Sequence, residues 1–354
     1  MLVFTHRHVL PHHQDASAFA PGFAPGASRI GVASVTRDGG SRWAVADVDD
    51  EASEADALDL LLPLFRGPRP LLVYIHGHGT TPTHCFNRCA QLEAEYDVEV
   101  IGFSWASEGL LCDGSPLPRL EAPDVPAEEG EIAMVNPLNR NTPTGQQLAR
   151  RYHQAKTNAL DAVDALARFL RHMATARLIS NAQRFSIAAH SLGAHYLQNA
   201  LEVPGAAESL GAAHNIVLLA PCVRADGHKG WAHQLRPRGR TYLAFHKGDS
   251  VLFGAFIADG GKQEKLGAAP GTDLLRGPGF RYVDFSNSQV GLGAHRYFVE
   301  RLNAHSRKLF GRLFRSEPDV QVGEGEPDVY PFGSSQEGAV WHMAVPAADP
   351  GAFA

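Results

Sequence analysis

Residues 184–201 read RFSIAAHSLGAHYLQNAL, and their interpretation decides the fold. RFSIAAH is a short apolar run of the kind expected for a strand buried on both faces. From Leu192 onward the apolar residues fall at helical spacing. Between the two lies Ala189-His190-Ser191-Leu192-Gly193. A serine presented at a strand-to-helix turn needs a strained backbone, with small residues two positions before and after it. The usual pattern is G-x-S-x-G; Ala189 replaces the first glycine and keeps the position small. Ser191 then stands at a helix N-terminus, whose dipole and free N–H groups favour developing negative charge. Serine is also a common helix N-cap. A cap alone, however, leaves the full strand–small–x–Ser–x–Gly–helix context unexplained.

Working outward, LLVYI (71–75), VEVIGFSW (98–105), NIVLLA (215–220), TYLAFH (241–246) and RYVDFS (281–286) supply further strand-like runs. Helical spacing separates several of them, at 84–96, 145–173 and 192–201. Strand alternating with helix predicts an α/β fold, a mostly parallel sheet of about six to eight strands with helices on both faces. Residues 1–70 read as an N-terminal portion of antiparallel strands (2–6, 30–35, 43–48) and a helix (51–65) that joins the sheet, with 11–28 irregular. The core spans 71–310. Residues 106–144 form an insertion with six prolines and no periodicity, of a length usually reserved for a lid or pocket wall. Residues 311–354 read as an acidic, Pro/Gly-rich tail whose apolar VYPF and AVWHMAV segments can dock.

A serine hydroxyl needs a base, and the base needs an orienting carboxylate. On this architecture the chain order is Ser, acid, His, with the latter two after later strands. Asp249 follows TYLAFH and His295 follows RYVDFS, so Ser191, Asp249 and His295 satisfy order and placement. Asp226, after NIVLLA, competes for the acid. Asp284 lies inside its strand run, and His305 and His342 are less well placed for the base. The oxyanion hole is expected from the N–H of Leu192 and that of His78, in the His76-Gly77-His78-Gly79-Thr80-Thr81 loop after the first parallel strand. His76, His78, His84, Cys85 and Cys89 complete no zinc spacing, so no metal is expected. Gly291 and Gly293 lack a dinucleotide-binding context, and no cofactor is expected. Trp105, Leu110 and Leu111, near a strand end, are candidates for the substrate pocket; Phe103 and Phe253 read equally well as core.

The composition limits the alternatives. The 354 residues carry 32 Lys and Arg against 38 Asp and Glu, a net charge of −6 that argues against a nucleic-acid partner. Hydrophobic residues make up 44%, enough for a full-sized core. Four cysteines are too few to staple a secreted domain of this size. No run is long enough for a membrane span, and the N-terminus lacks a signal-peptide core, so a cytoplasmic location is expected. The 18 histidines raise a choice between metal binding and acid–base work. Their placement favours the second, through His295.

YIHGHGTT, IGFSWAS, AHSLG, LLAPCV, AFHKGDSVL and GAHRYF together resemble the α/β-hydrolase superfamily. More closely, the chain is similar to the bacterial DUF900-type α/β hydrolases of unknown function, over roughly residues 71–300. Leu192 stands where that branch often has Met, and Ala106 follows Trp105 where Pro is common. The resemblance supplies no substrate; the triad itself leads to a serine hydrolase acting on a small-molecule ester, thioester or related acyl substrate, a chemistry that needs no metal or cofactor. An acyltransferase using the same triad, or a non-catalytic binding module on the same fold, are the alternatives. Substrate identity and oligomeric state stay open.

Overall fold

Each long apolar run becomes a strand, and the order in which those strands pair creates the site. The structure, a computed structural model, describes residues 1–37, 42–118, 130–181, 183–286, 288, 295–300, 303–317, 329–331 and 340–343. Its strands are β1 (Leu2–Thr5), β2 (Arg7–Val9), β3 (Phe19–Phe23), β4 (Gly31–Arg37), β5 (Trp43–Asp49), β6 (Leu71–Ile75), β7 (Glu99–Ser104), β8 (Phe185–His190), β9 (Asn215–Leu219), β10 (Thr241–Phe245), β11 (Phe280–Asp284), β12 (Val329–Pro331) and β13 (Val340–Met343). The helices are α1 (Glu54–Arg66), α2 (Pro82–Tyr96), α3 (Pro143–Asp161), α4 (Val163–Ser180), α5 (Leu192–Ala200), α6 (Ala206–Leu210), α7 (Lys229–Ala232), α8 (Ser250–Ala258) and α9 (Ala304–Phe314).

One 11-stranded sheet runs β12-β13-β11-β10-β9-β8-β6-β7-β1-β4-β5, and β2 pairs with β3 in a separate ribbon. Every pair from β13 through β1 is parallel. The β1–β4, β4–β5 and β12–β13 pairs are antiparallel. All residues of β6, β8, β9 and β10 are buried. Since side chains alternate between faces, both faces of the central sheet are covered. The chain is therefore mixed α/β with a mostly parallel sheet. Among the described residues, no helix is long and apolar enough to cross a membrane.

The fold differs from the sequence expectation in four respects, the first being Phe19–Phe23, a strand paired with β2 inside the 11–28 stretch read as irregular. Leu2–Thr5 belongs to the parallel sheet, with β7 on one side and β4 on the other, and is not confined to an antiparallel N-terminal portion. Its four residues are all buried. The sheet is also wider than six to eight strands, because β1, β4 and β5 join one side while β12 and β13, from the C-terminal segment, join the other. Finally, the periodic 145–173 stretch is two helices broken at Ala162 (φ −119°, ψ 13°). The break is tertiary in origin: the Ala162 carbonyl accepts from Tyr196 Oη at 2.6 Å, and the Asp161 carbonyl accepts from the Gly26 N–H at 2.7 Å. Nothing in the local spacing signals either contact.

Candidate active site

β6 and β8 lie side by side, yet the chain leaves β6 for β7 on one side and β8 for β9 on the other. The crevice beyond the carboxyl ends of strands at such a reversal is the usual ligand site of an open α/β sheet. The His76–Thr81 loop and Ser191 both occupy it.

Ser191 sits at φ 52° and ψ −118°, a backbone conformation that L residues avoid. It is held there from both sides. Its N–H donates to the Leu219 carbonyl at 2.9 Å, and its own carbonyl accepts from the Cys222 N–H at 3.0 Å. Two glycines make room for the turn. A Cβ on Gly193 would lie 2.5 Å from the His76 carbonyl oxygen and 2.6 Å from that of Ile75. A Cβ on Gly77 would lie 2.8 Å from the Ser191 Cβ. Leu192 is the first residue of α5, so its N–H is one of the amides a helix start leaves without an internal partner.

Asp249 and His295 meet as their order predicts. The Asp249 carboxylate caps α8 through Oδ1, which accepts from the Leu252 N–H at 2.9 Å. Its Oδ2 lies 2.7 Å from His295 Nδ1. With the carboxylate accepting, Nδ1 carries the proton and Nε2 presents a lone pair, the tautomer a base requires. Both side chains are buried. The rival acid is elsewhere: the Asp226 side chain is 91% exposed and faces Arg224. Asp284 is buried at the end of β11, where it accepts from the Ser286 N–H at 2.8 Å. His305 lies on α9 and His342 on β13.

Ser191 and His295 share one small cavity with Gly77, His78 and His190. Gly130 and Val251, from the insertion and from α8, close it. The space left is about 10 Å³ for a water centre, room for one water molecule. Among the described residues the Ser191 Oγ makes no direct hydrogen bond to His295; such contacts are commonly long before substrate binds.

The loop bearing His78 is pinned by the start of the insertion. The N–H of Gly79 donates to the Ser107 carbonyl at 2.9 Å and that of Thr80 to Ser107 Oγ at 3.0 Å. Trp105 secures its other end: the indole Nε1 donates to the His76 carbonyl at 2.8 Å, and the Trp105 N–H donates to His76 Nε2 at 3.0 Å. The two rings stack 5.6 Å apart. Trp105 is thus fully buried and outside the cavity wall, where it shapes the loop. Leu110 and Leu111 are half-buried and also outside that wall. A strand-end apolar residue reads the same in either role, which is why sequence alone could not separate them. Cys85 and Cys89 are buried on α2, where the Cβ of a residue at Gly102 would meet Cys89 Sγ at 3.0 Å.

Comparison of the chain with protein-family models, curated proteins and solved structures finds no match.

The 106–144 insertion, read from sequence as a lid or pocket wall, reaches the cavity at Gly130, but the contacts that hold it there were not foreseen. Glu131–Met134 forms a single 3-10 turn that packs on α8, with the Ile132 carbonyl placed where any side chain at Gly254 would collide, 1.9 Å from its Cβ. Glu131 is buried and pairs with Arg151 on α3 at 2.9 Å. Its other oxygen stands 3.8 Å from His78 Nε2. The ring of His78 meets that of Tyr152 edge-on at 5.7 Å. The insertion therefore supplies part of the wall of the site through Gly130, while 119–129 lies outside the described residues. Glu131 sits in an irregular stretch and Arg151 in an ordinary helical pattern, so neither carried a signal.

Burial dominates the electrostatics. It lowers the pKa of His78 to about 3, with the Arg151 cation a second cause. It also holds His190 well below the usual value, helped by His295 and Arg88. Both imidazoles are neutral at neutral pH. When unfolded they protonate near 6.5, so below about that pH the unfolded state binds more protons and folding stability falls. Each contributes a slope of roughly 1.4 kcal/mol per pH unit across the window from about 6.5 down toward its folded value. We therefore expect urea midpoints that are flat above about pH 7.5 and fall steeply below about pH 6. A midpoint that does not change across that range contradicts the neutral assignment.

Proposed function

We propose that this chain is a serine hydrolase of the α/β-hydrolase fold that cleaves an ester, thioester or related acyl substrate. The observation that carries this reading is the Asp249–His295 pair at 2.7 Å, opening onto the same cavity as a serine held in a strained elbow. The Ser191 Oγ attacks the carbonyl carbon while its proton passes to His295 Nε2. Asp249 holds the ring in its tautomer and stabilises the imidazolium. The N–H groups of Leu192 and His78 receive the oxyanion. Collapse of the tetrahedral intermediate expels the alcohol or thiol, which takes the proton from Nε2. Water then attacks the acyl-enzyme, giving its proton to Nε2, and the acid departs as Ser191 recovers its hydrogen.

Labelling with a fluorophosphonate probe tests the assignment. We expect stoichiometric labelling of the native chain and none in Ser191→Ala with an unchanged circular dichroism spectrum. A folded native chain that resists the probe removes the hydrolase reading and leaves a binding module.

A further inference from the structure

Asp249 fixes how the His295 ring is turned, but not where the segment carrying it stands relative to the serine. Two contacts tie that segment to the elbow. His190, the residue before Ser191, has its Nε2 3.2 Å from the His295 carbonyl oxygen. The second contact belongs to Tyr297, two residues beyond His295 in a turn closed by bonds from the Val299 and Glu300 N–H groups to the Arg296 carbonyl. Its Oη accepts from the Ala220 N–H at 3.1 Å.

Ala220 is a strained anchor. Its φ of 45° lies in the left-handed region, which a residue with a Cβ occupies only when its surroundings hold it there. It sits between the two residues that clamp the elbow, since the Leu219 carbonyl accepts from the Ser191 N–H and the Cys222 N–H donates to the Ser191 carbonyl. A Cβ on Gly267 would stand only 2.4 Å from the Ala220 carbonyl carbon, so the backbone of 266–268 closes off the space behind this turn.

The phenol ring has little freedom either. It is fully buried, stacks on Phe285 at 5.1 Å, and borders the His246 ring at 6.2 Å. His246 opens the acid loop, where its carbonyl accepts from the Asp249 N–H at 3.2 Å. One side chain therefore adjoins the segments that carry serine, acid and base. Burial above all, then the Asp249 and Asp284 carboxylates, hold its pKa well above the usual value, so the hydroxyl is neutral. Packing alone does not call for that hydroxyl: Phe285, Phe298 and Phe310 fill the same aromatic cluster without one, and desolvating a polar oxygen costs free energy.

We infer that Tyr297 is a positioning residue for the reaction, its hydroxyl holding the His295 segment in register with the Ser191 elbow through Ala220. This rests on the hydrolase reading above. An error of about 1 Å in such a register is enough to cost about a hundredfold in rate.

Tyr297→Phe removes the oxygen and keeps the ring. The Ala220 N–H is not orphaned, because it also donates to the Ala244 carbonyl at 3.1 Å. We expect the second-order rate constant for fluorophosphonate labelling of the full chain to fall about tenfold. The fraction labelled at completion and the urea midpoint should stay near native. Tyr282→Phe is the comparison: that buried hydroxyl accepts from the Leu275 N–H at 2.9 Å and meets His228 Nε2 at 2.6 Å, apart from the elbow, and its loss should leave the labelling rate unchanged. A merely structural role for Tyr297 would lower the labelled fraction or the urea midpoint and spare the rate of the folded molecules. A native rate in Tyr297→Phe, an equal slowing in Tyr282→Phe, or loss of the folded state in Tyr297→Phe each overturns the inference alone. A native chain that does not label overturns the hydrolase reading instead.

Discussion

Asp249→Asn is expected to lower kcat about 10⁴-fold with little change in stability. The carboxylate does two things, and asparagine keeps only one of them. Its carbonyl oxygen can still accept from the Leu252 N–H, and asparagine is as good a helix cap as aspartate. Toward His295, however, the amide NH₂ is a donor. The ring must then turn its lone pair to Nδ1 and place its hydrogen on Nε2, the atom that has to take the Ser191 proton. Acylation loses its base while the shape of the site survives. Steady-state ester turnover and thermal unfolding of the same sample separate the two effects. Asp226→Asn is the comparison, since that carboxylate is on the surface beside Arg224 and its loss should leave turnover near native. Equal losses in the two variants would refute the assignment of the acid.

Gly193→Ala is expected to destabilise the chain by about 3 kcal/mol, at the upper end for overpacking, and to remove ester turnover with it. The added carbon meets the carbonyl oxygens of Ile75 and His76 at 2.6 and 2.5 Å. These are backbone atoms at the end of β6, so no side chain can swing aside. Either α5 moves away from β6 and carries Ser191 with it, or the His76–Thr81 loop shifts and takes the His78 N–H from the oxyanion. Gly230→Ala is the contrasting case, because a Cβ at Gly230 meets nothing within 4 Å. Urea denaturation of both variants checks the prediction, and a Gly193→Ala chain as stable as Gly230→Ala would contradict it.

The elbow and its two partners were legible because each depends on local rules. Small residues around Ser191, and a polar residue just past an apolar run for Asp249 and His295, are visible in one dimension. The placement of Leu2–Thr5 was not, because three apolar residues and a threonine specify a strand without specifying its neighbours. The same gap separates Trp105 as pocket from Trp105 as scaffold: burial against His76 is a property of the pairing of β6 with β7, not of the indole. His78 illustrates the point most sharply. Its position after the first parallel strand assigns a role to its N–H, whereas the isolation of its ring depends on Tyr152, Glu131 and Arg151, which come from a helix and an insertion with no motif.

The position of β1 also bears on how the chain is made. Leu2–Thr5 is made before both of its partners: Gly31–Arg37 follows within about thirty residues, whereas the other edge waits for Ile101–Ser104. At roughly 5–20 residues per second, about a hundred residues amount to a delay of roughly 5–20 s. Throughout that interval a short, mostly apolar strand presents an open row of N–H and C=O groups. The nascent chain is thus open to mispairing along β1, and a holding chaperone acting on this segment would protect the edge until β7 arrives to close it.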